Sequence, residues 1–200
     1  NRGVAYSDKG ESDKAIADFK EAITLDPTNA SAYSNRAFVY SYKGEHDKAI
    51  ADCTEAIRLN PKDAKAYCNR GRAYGGTAEL DKAIADCTEA IRLDPKLAEA
   101  YNNRGIAYSD EGEHDKAIDD CTEAIRLNPK YAEAYYDRGR AYHGKGDHDK
   151  AIFDYTEAIR LKPKFAEAYW GRGGCYMKKG EKAKAEEDYV HTKKLGYKPK

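Results

Sequence analysis

Five cysteines and five histidines are the residues of this 200-residue chain that could form a disulfide, hold a metal or supply a nucleophile. Their spacing argues against all three. Cys53, Cys87 and Cys121 stand 34 residues apart, so they occupy equivalent places on successive elements. Axes of neighbouring packed helices lie about 8–10 Å apart, a poor match to the Cα separations a disulfide tolerates. Cys68 and Cys175 fall in other registers, and no CxxC occurs. His46, His114 and His148 share one register, which spreads them out, so the clustering a zinc site needs is not expected and no metal is predicted. Free buried thiols suit a reducing compartment, and a cytoplasmic location is expected. No glycine-rich phosphate loop, nucleophile elbow or metal motif is present; neither enzyme activity nor a cofactor is expected.

The 34-residue step that separates these cysteines runs through the whole chain. Ala98 to Tyr131 slides back so that Tyr101 falls on Tyr67, Tyr108 on Tyr74, Ala117 on Ala83 and Pro129 on Pro95. Forward, the same positions become Tyr135, Tyr142, Ala151 and Pro163. Such a period means a stacked array. Within the unit, Tyr101, Arg104, Gly105 and Tyr108 follow the spacing of one helical face, as do Ala117, Cys121, Ala124 and Ile125. Gly112 and Glu113 separate the two segments, and Asn128-Pro129 ends the second. Each unit is a helix–turn–helix that relies on its neighbours for a core.

The Tyr101, Gly105, Tyr108, Ala117, Cys121, Ala124, Pro129 pattern resembles the tetratricopeptide repeat over the whole chain. The resemblance implies an all-α, right-handed superhelical solenoid of helix–turn–helix 34-residue repeats. Its expected divisions are a truncated first repeat over 1–29, repeats over 30–63, 64–97, 98–131 and 132–165, and a capping repeat with tail over 166–200, in one continuous domain. The motif residues build the scaffold and do not by themselves specify a function.

Two departures from the family pattern recur. Arg2, Arg36, Arg70, Arg104, Arg138 and Arg172 stand where Leu is usual, and Cys53, Cys87 and Cys121 where an aromatic is usual. A buried guanidinium without an anion is costly. Asp18, Asp52, Asp86, Asp120, Asp154 and Asp188 recur in the second segment, so one Arg–Asp pair per repeat is expected. The turn after the helix from Ala64 is irregular (Gly75-Gly76-Thr77-Ala78), and that helix is expected to end early or fray.

The resemblance also implies that first helices line a concave groove that takes a partner segment. The groove rows would be Asn35, Asn69, Asn103 and Asp137; then Ser34, Cys68, Asn102, Tyr136 and Trp170; then Phe38, Arg72, Ile106, Arg140 and Gly174. A primary amide serves a peptide backbone with both donor and acceptor, and Tyr136 and Trp170 could act as aromatic anchors. The family's two-carboxylate clamp for chaperone C-termini is not expected, because Ser34, Phe38, Glu99 and Asn103 occupy places that need Lys, Asn, Lys and Arg.

Lys+Arg and Asp+Glu both total 35, which argues against a general nucleic-acid binder. No apolar run approaches the roughly 18 residues of a membrane span. The expected function is a protein–protein interaction scaffold; a structural spacer, a self-associating array and the arm of a larger enzyme are the alternatives. At the C-terminal end Glu186, Thr192 and Lys193 replace apolar residues, as a capping helix requires. At the other end the chain opens inside a first helix, while Ala15, Ile16, Phe19, Ala22 and Ile23 keep the full apolar set. A natural continuation upstream, and self-association through that end, are therefore expected.

Overall fold

The structure is a computed structural model in which residues 11–198 are described. Among them the chain is all α-helical, with eleven helices in tandem helix–turn–helix order. These are α1 (Ser12–Leu25), α2 (Ala30–Tyr42), α3 (His46–Leu59), α4 (Ala64–Gly76), α5 (Leu80–Leu93), α6 (Ala98–Asp110), α7 (His114–Leu127), α8 (Ala132–Gly144), α9 (His148–Leu161), α10 (Ala166–Lys178) and α11 (Lys182–Lys194). The chain divides into two compact units, residues 1–104 and 105–200. In the first, α1 packs on α2, α2 on α3, α3 on α4, α4 on α5, and α2 also on α4. In the second, α7 packs on α8, α8 on α9, α9 on α10 and α10 on α11. No helix among the described residues is long and apolar enough to cross a membrane.

Small side chains set how closely the helices of a repeat approach. Ala49, Cys53 and Ala56 of α3 are fully buried, as are Cys87 and Ala90 of α5. A Cβ on Gly71 of α4 would stand 2.6 Å from the Cys87 sulfur and 3.1 Å from the Ala83 carbonyl oxygen. That contact explains a glycine inside a helix, where it otherwise costs about 1 kcal/mol against Ala.

The loops are built from sequence-encoded hydrogen bonds. After each of four second helices an Asx side chain accepts from the backbone N–H two residues on: Asp26 from Thr28 (3.0 Å), Asn60 from Lys62 (3.2 Å), Asp94 from Lys96 (3.0 Å) and Asn128 from Lys130 (3.1 Å). First helices end on a left-handed residue, Gly44, Gly112, Gly146 or Gly180, with φ of 76 to 83°. The expected fraying of α4 is corrected here, since it spans Ala64–Gly76 and matches α2 and α8 at 13 residues. Ala78 takes the left-handed place at φ 60°. Glu79 N–H still reaches the Tyr74 carbonyl at 2.9 Å, as Glu45 N–H reaches Tyr40. The Thr77 hydroxyl secures the turn from 3.0 Å to both the Tyr74 carbonyl and the Glu79 carboxylate, its single proton shared between the two acceptors.

At the N-terminal end, Ala15 and Phe19 are buried and cluster with Val39 and Ile16, so the open apolar surface expected on α1 is covered at these two residues. Leu25 is 80% exposed. Arg2 and the preceding Asn1 lie outside the described residues. At the other end α11 buries only Ala185, Asp188 and Thr192. Thr192 is buried by returning its hydroxyl to the Asp188 carbonyl at 2.8 Å, while Glu186 and Lys193 face water.

Candidate partner-binding face and a histidine–cysteine cluster

The arginines that replace Leu span two helices in a fixed geometry. Arg36 donates Nε and Nη2 to the two carboxylate oxygens of Asp52, both at 2.7 Å. Arg70 meets Asp86 at 2.7 and 2.9 Å, Arg138 meets Asp154 at 2.8 Å twice, and Arg172 meets Asp188 at 2.9 and 2.7 Å. These forks are nearly dry: the Arg and Asp side chains are 16% and 1% exposed in the Arg138–Asp154 pair. The pair with Asp52 holds the Arg36 guanidinium above its ordinary pKa. Burial pushes the Asp154 carboxyl up, against the pull of Arg138. The remaining Nη1 of Arg70 reaches back to Thr54 of the preceding repeat at 3.2 Å, and Arg104, Arg138 and Arg172 reach Thr88, Thr122 and Thr156 at 3.1 Å. Each of these arginines thus ties its own repeat to the one before it. Tyr67 and Tyr74 lie 5.6 and 6.0 Å from the Arg70 guanidinium, within cation–π range.

Sequence reasoning missed a second set of pairs. Glu55, Glu89 and Glu123 lack a Lys four residues on, but each accepts two hydrogen bonds from the Arg three residues on, Arg58, Arg92 and Arg126. Other exposed pairs link repeats within a unit: Lys43 to Asp13 at 2.6 Å, Lys145 to Asp115, and Lys179 to Asp149.

Among the groove candidates of the first unit, Asn35, Asn69 and Asn103 are half-buried. Asn69 donates its amide to the Ser34 carbonyl and Asn103 to the Cys68 carbonyl, each at 3.4 Å, so one contact recurs a repeat apart. Asn102 is buried. Phe38 is 36% exposed and packs against Tyr42, with ring centres 4.7 Å apart and planes tilted by 53°. The Arg72 guanidinium sits 4.6 Å from the Phe38 ring centre and 4.7 Å from that of Tyr42. Its Nε and Nη2 are buried and have no hydrogen-bond partner.

The second unit uses the same register differently. Asp137 is buried, and Arg140 contacts Asp137 at 3.5 Å and Asp110 at 3.1 Å. Tyr136 packs between Tyr155 (5.7 Å) and Phe165 (4.9 Å), and burial pushes its pKa up to about 12. Trp170 packs on Tyr189 at 4.7 Å and keeps 39% of its surface exposed.

All five cysteines are buried thiols outside any disulfide. Burial pushes the Cys53 and Cys68 thiols up to about 12 and Cys175 up to about 11. Cys175 does not stand alone. His143 Nδ1 lies 3.0 Å from its sulfur, and the His143 and His148 ring centres are 5.2 Å apart. One ring nitrogen of each histidine and the sulfur lie within 4.8 Å of one another. Burial, then the charges of His148 and Lys178, hold His143 below the usual histidine pKa. The sequence signal for this cluster was the registers of His143 and Cys175, which place them at the same corner as His148.

Tandem helix–turn–helix units joined by recurring inter-repeat contacts define a helical-repeat protein. The chain belongs to the tetratricopeptide-repeat family. The family model described as "Tetratricopeptide repeat" matches residues 30–63, 64–97 and 98–131; a "TPR repeat" model matches 3–44 and 139–180, and a further tetratricopeptide-repeat model matches 121–153. Membership carries the general role of a protein–protein interaction scaffold. Among solved structures the chain is similar to MamA, at 32% identity over 78% of this chain and 92% of that one, with a TM-score of 0.66. A thermophilic TPR protein of Thermus thermophilus shares the fold at 22% identity over 88% and 95% of the two chains, with a TM-score of 0.78. So does YrrB, a TPR protein described as having an unusual peptide-binding site, at 23% identity over 88% and 91%, with a TM-score of 0.62. No match was found among curated proteins.

Proposed function

We propose that the first unit binds an extended, carboxylate-bearing peptide segment of a partner protein on the faces of its first helices. The observation that carries this reading is Arg72, whose guanidinium packs against the rings of both Phe38 and Tyr42 with two buried donors unpartnered. A buried donor left unsatisfied costs about 1–3 kcal/mol, and a carboxylate would recover that cost through charge-assisted hydrogen bonds. Asn69 stands one helical turn before Arg72 on α4. Asn69 and Asn103 commit an amide N–H to the preceding first helix, which leaves the Oδ1 oxygens to accept from a peptide backbone. In the second unit Arg140 already has Asp110 and Asp137, so the proposed site belongs to the first.

The test is to select peptides from a random display library against the whole chain and map the complex by amide hydrogen exchange. Protection over Phe38–Tyr42 and around Asn69–Arg72 is expected. Protection confined to second helices would overturn the reading.

A further inference from the structure

We propose that His143, His148 and Cys175 form a zinc(II) site, with the fourth coordination position left to water or an external ligand. The three residues come from three consecutive helices of the second unit: His143 from the last turn of α8, His148 from the start of α9, and Cys175 from α10. Helix packing therefore assembles the site, so it is as ordered as the fold.

The geometry and the donor chemistry both fit. With Zn–N near 2.0–2.1 Å and Zn–S near 2.3 Å, tetrahedral coordination puts donor atoms roughly 3.3–3.6 Å apart. The His143 Nδ1 to Cys175 Sγ separation is 3.0 Å, and all three donors lie within 4.8 Å of one another. Closing on an ion thus needs shifts of only a few tenths of an ångström between the first two and a modest turn of His148. His148 Nδ1 is buried without a hydrogen-bond partner, so rotating that ring sacrifices no bond. One thiolate and two imidazoles form a borderline-soft set that suits zinc and disfavours magnesium or calcium, which prefer oxygen. On binding, the Cys175 S–H proton goes to solvent and an S–Zn bond replaces it. Lys178 lies near His143 but is exposed, where water and salt screen its charge.

The repeat supplies its own controls. His46 and His114 hold the same register as His148, and their Nδ1 atoms are likewise buried without a partner. At the places of His143 and Cys175, however, the repeat of His46 has Ser41 and Ala73, and that of His114 has Ser109 and Ala141. An imidazole at this corner is thus a feature of the repeat, and only at His148 have two further donors of the right softness been added.

The experiment uses the full chain, reduced and stripped of metal, titrated with zinc against a chromophoric chelator and, separately, with cobalt(II) as a spectroscopic substitute. One zinc per chain, a thiolate-to-cobalt charge-transfer band and a zinc-dependent rise in melting temperature are expected. Cys175→Ser should abolish the band. His143→Gln and His148→Gln should each weaken zinc by more than about tenfold, while His114→Gln and Cys53→Ser should leave it unchanged. Should Cys175→Ser fail to fold, a zinc-dependent rise in the urea concentration at which wild-type Cys175 becomes alkylated, read by peptide mass spectrometry, gives the same decision. Absence of a band, or equal zinc affinity in wild type and the His148→Gln variant, would overturn the assignment and leave the His143–Cys175 contact as a simple hydrogen bond.

Discussion

Arg70 of α4 holds Asp86 of α5 through two parallel N–H donors at 2.7 and 2.9 Å, and its third arm reaches Thr54 of the repeat before. The two charged side chains are 18% and 10% exposed. Such a pair is not a large net source of stability against an apolar replacement, but breaking it strands a charge. Asp86→Ala should therefore cost about 3–5 kcal/mol. Glu89→Ala, which removes a solvent-exposed partner of Arg92 three residues away, should change little. Urea denaturation of the two variants compares them directly, and equal losses would refute the distinction.

The turn at Ala78 offers a gain. A non-glycine residue at φ 60° carries a left-handed penalty of roughly 1–2 kcal/mol, which the other repeats avoid with Gly44, Gly112, Gly146 and Gly180. Ala78→Gly removes the Cβ clash but adds unfolded-state entropy, so a net stabilisation of about 1 kcal/mol is expected. A melting temperature equal to or below that of the parent chain would argue that the Thr77 hydrogen bonds already relieve the strain.

Acid should weaken the fold in a defined window. Glu55, Glu89 and Glu123 are held below the usual glutamate pKa by their Arg partners, and Glu45 and Glu181 by lysines. A folded pKa below the unfolded value gives stabilisation that is full above about 4.3 and lost as pH falls through the lower folded values. Asp154, raised by burial, acts in the opposite sense and offsets part of this loss. Urea midpoints should decline modestly below about pH 6.5, because His143 is held under the usual histidine pKa, and fall further below about pH 5, that acidic fall being shallower in about 1 M salt. A midpoint that rises below about pH 4 would contradict the assignment of these pairs.

The thiols should be silent in the native protein. The thiolate is the reactive form, and burial keeps Cys53, Cys68 and Cys175 protonated with pKa values of about 11 to 12. Labelling by a thiol-specific reagent near neutral pH should follow the urea unfolding curve. Rapid labelling of several cysteines without urea would show that the helices open locally far more than their packing implies.

What was legible in the sequence was what the register repeats. Tyr, Gly, Ala and Pro at fixed offsets placed the helices and turns, because each copy repeats the same packing problem and errors in one copy are outvoted by the others. What escaped were single departures from the register. Ala78 was read as a broken turn because the side chain that holds it, Thr77, acts through hydrogen bonds that composition does not announce. Tyr136 looked like a surface aromatic by register, yet it packs between Phe165 and Tyr155, the latter standing where three copies have Cys. His143 and Cys175 are 32 residues apart and meet only because α8 and α10 flank α9. Arg72 was readable as a groove residue, but its contact with the Phe38–Tyr42 ring pair and the two unused donors are properties of packing.

The most direct measurement is calorimetric titration of a display-selected peptide into the parent chain and into Arg72→Leu, Asn69→Ala and Asn103→Ala. A control outside the proposed face, Lys96→Ala, alters an exposed residue in the loop after α5. Arg72→Leu should lose about tenfold or more in affinity, the value of one charge-assisted hydrogen bond. Each Asn variant should lose a smaller factor, and Lys96→Ala none. Undiminished affinity in Arg72→Leu and in both Asn variants, with all of them folded, would contradict the claim that the first unit reads its partner through this face.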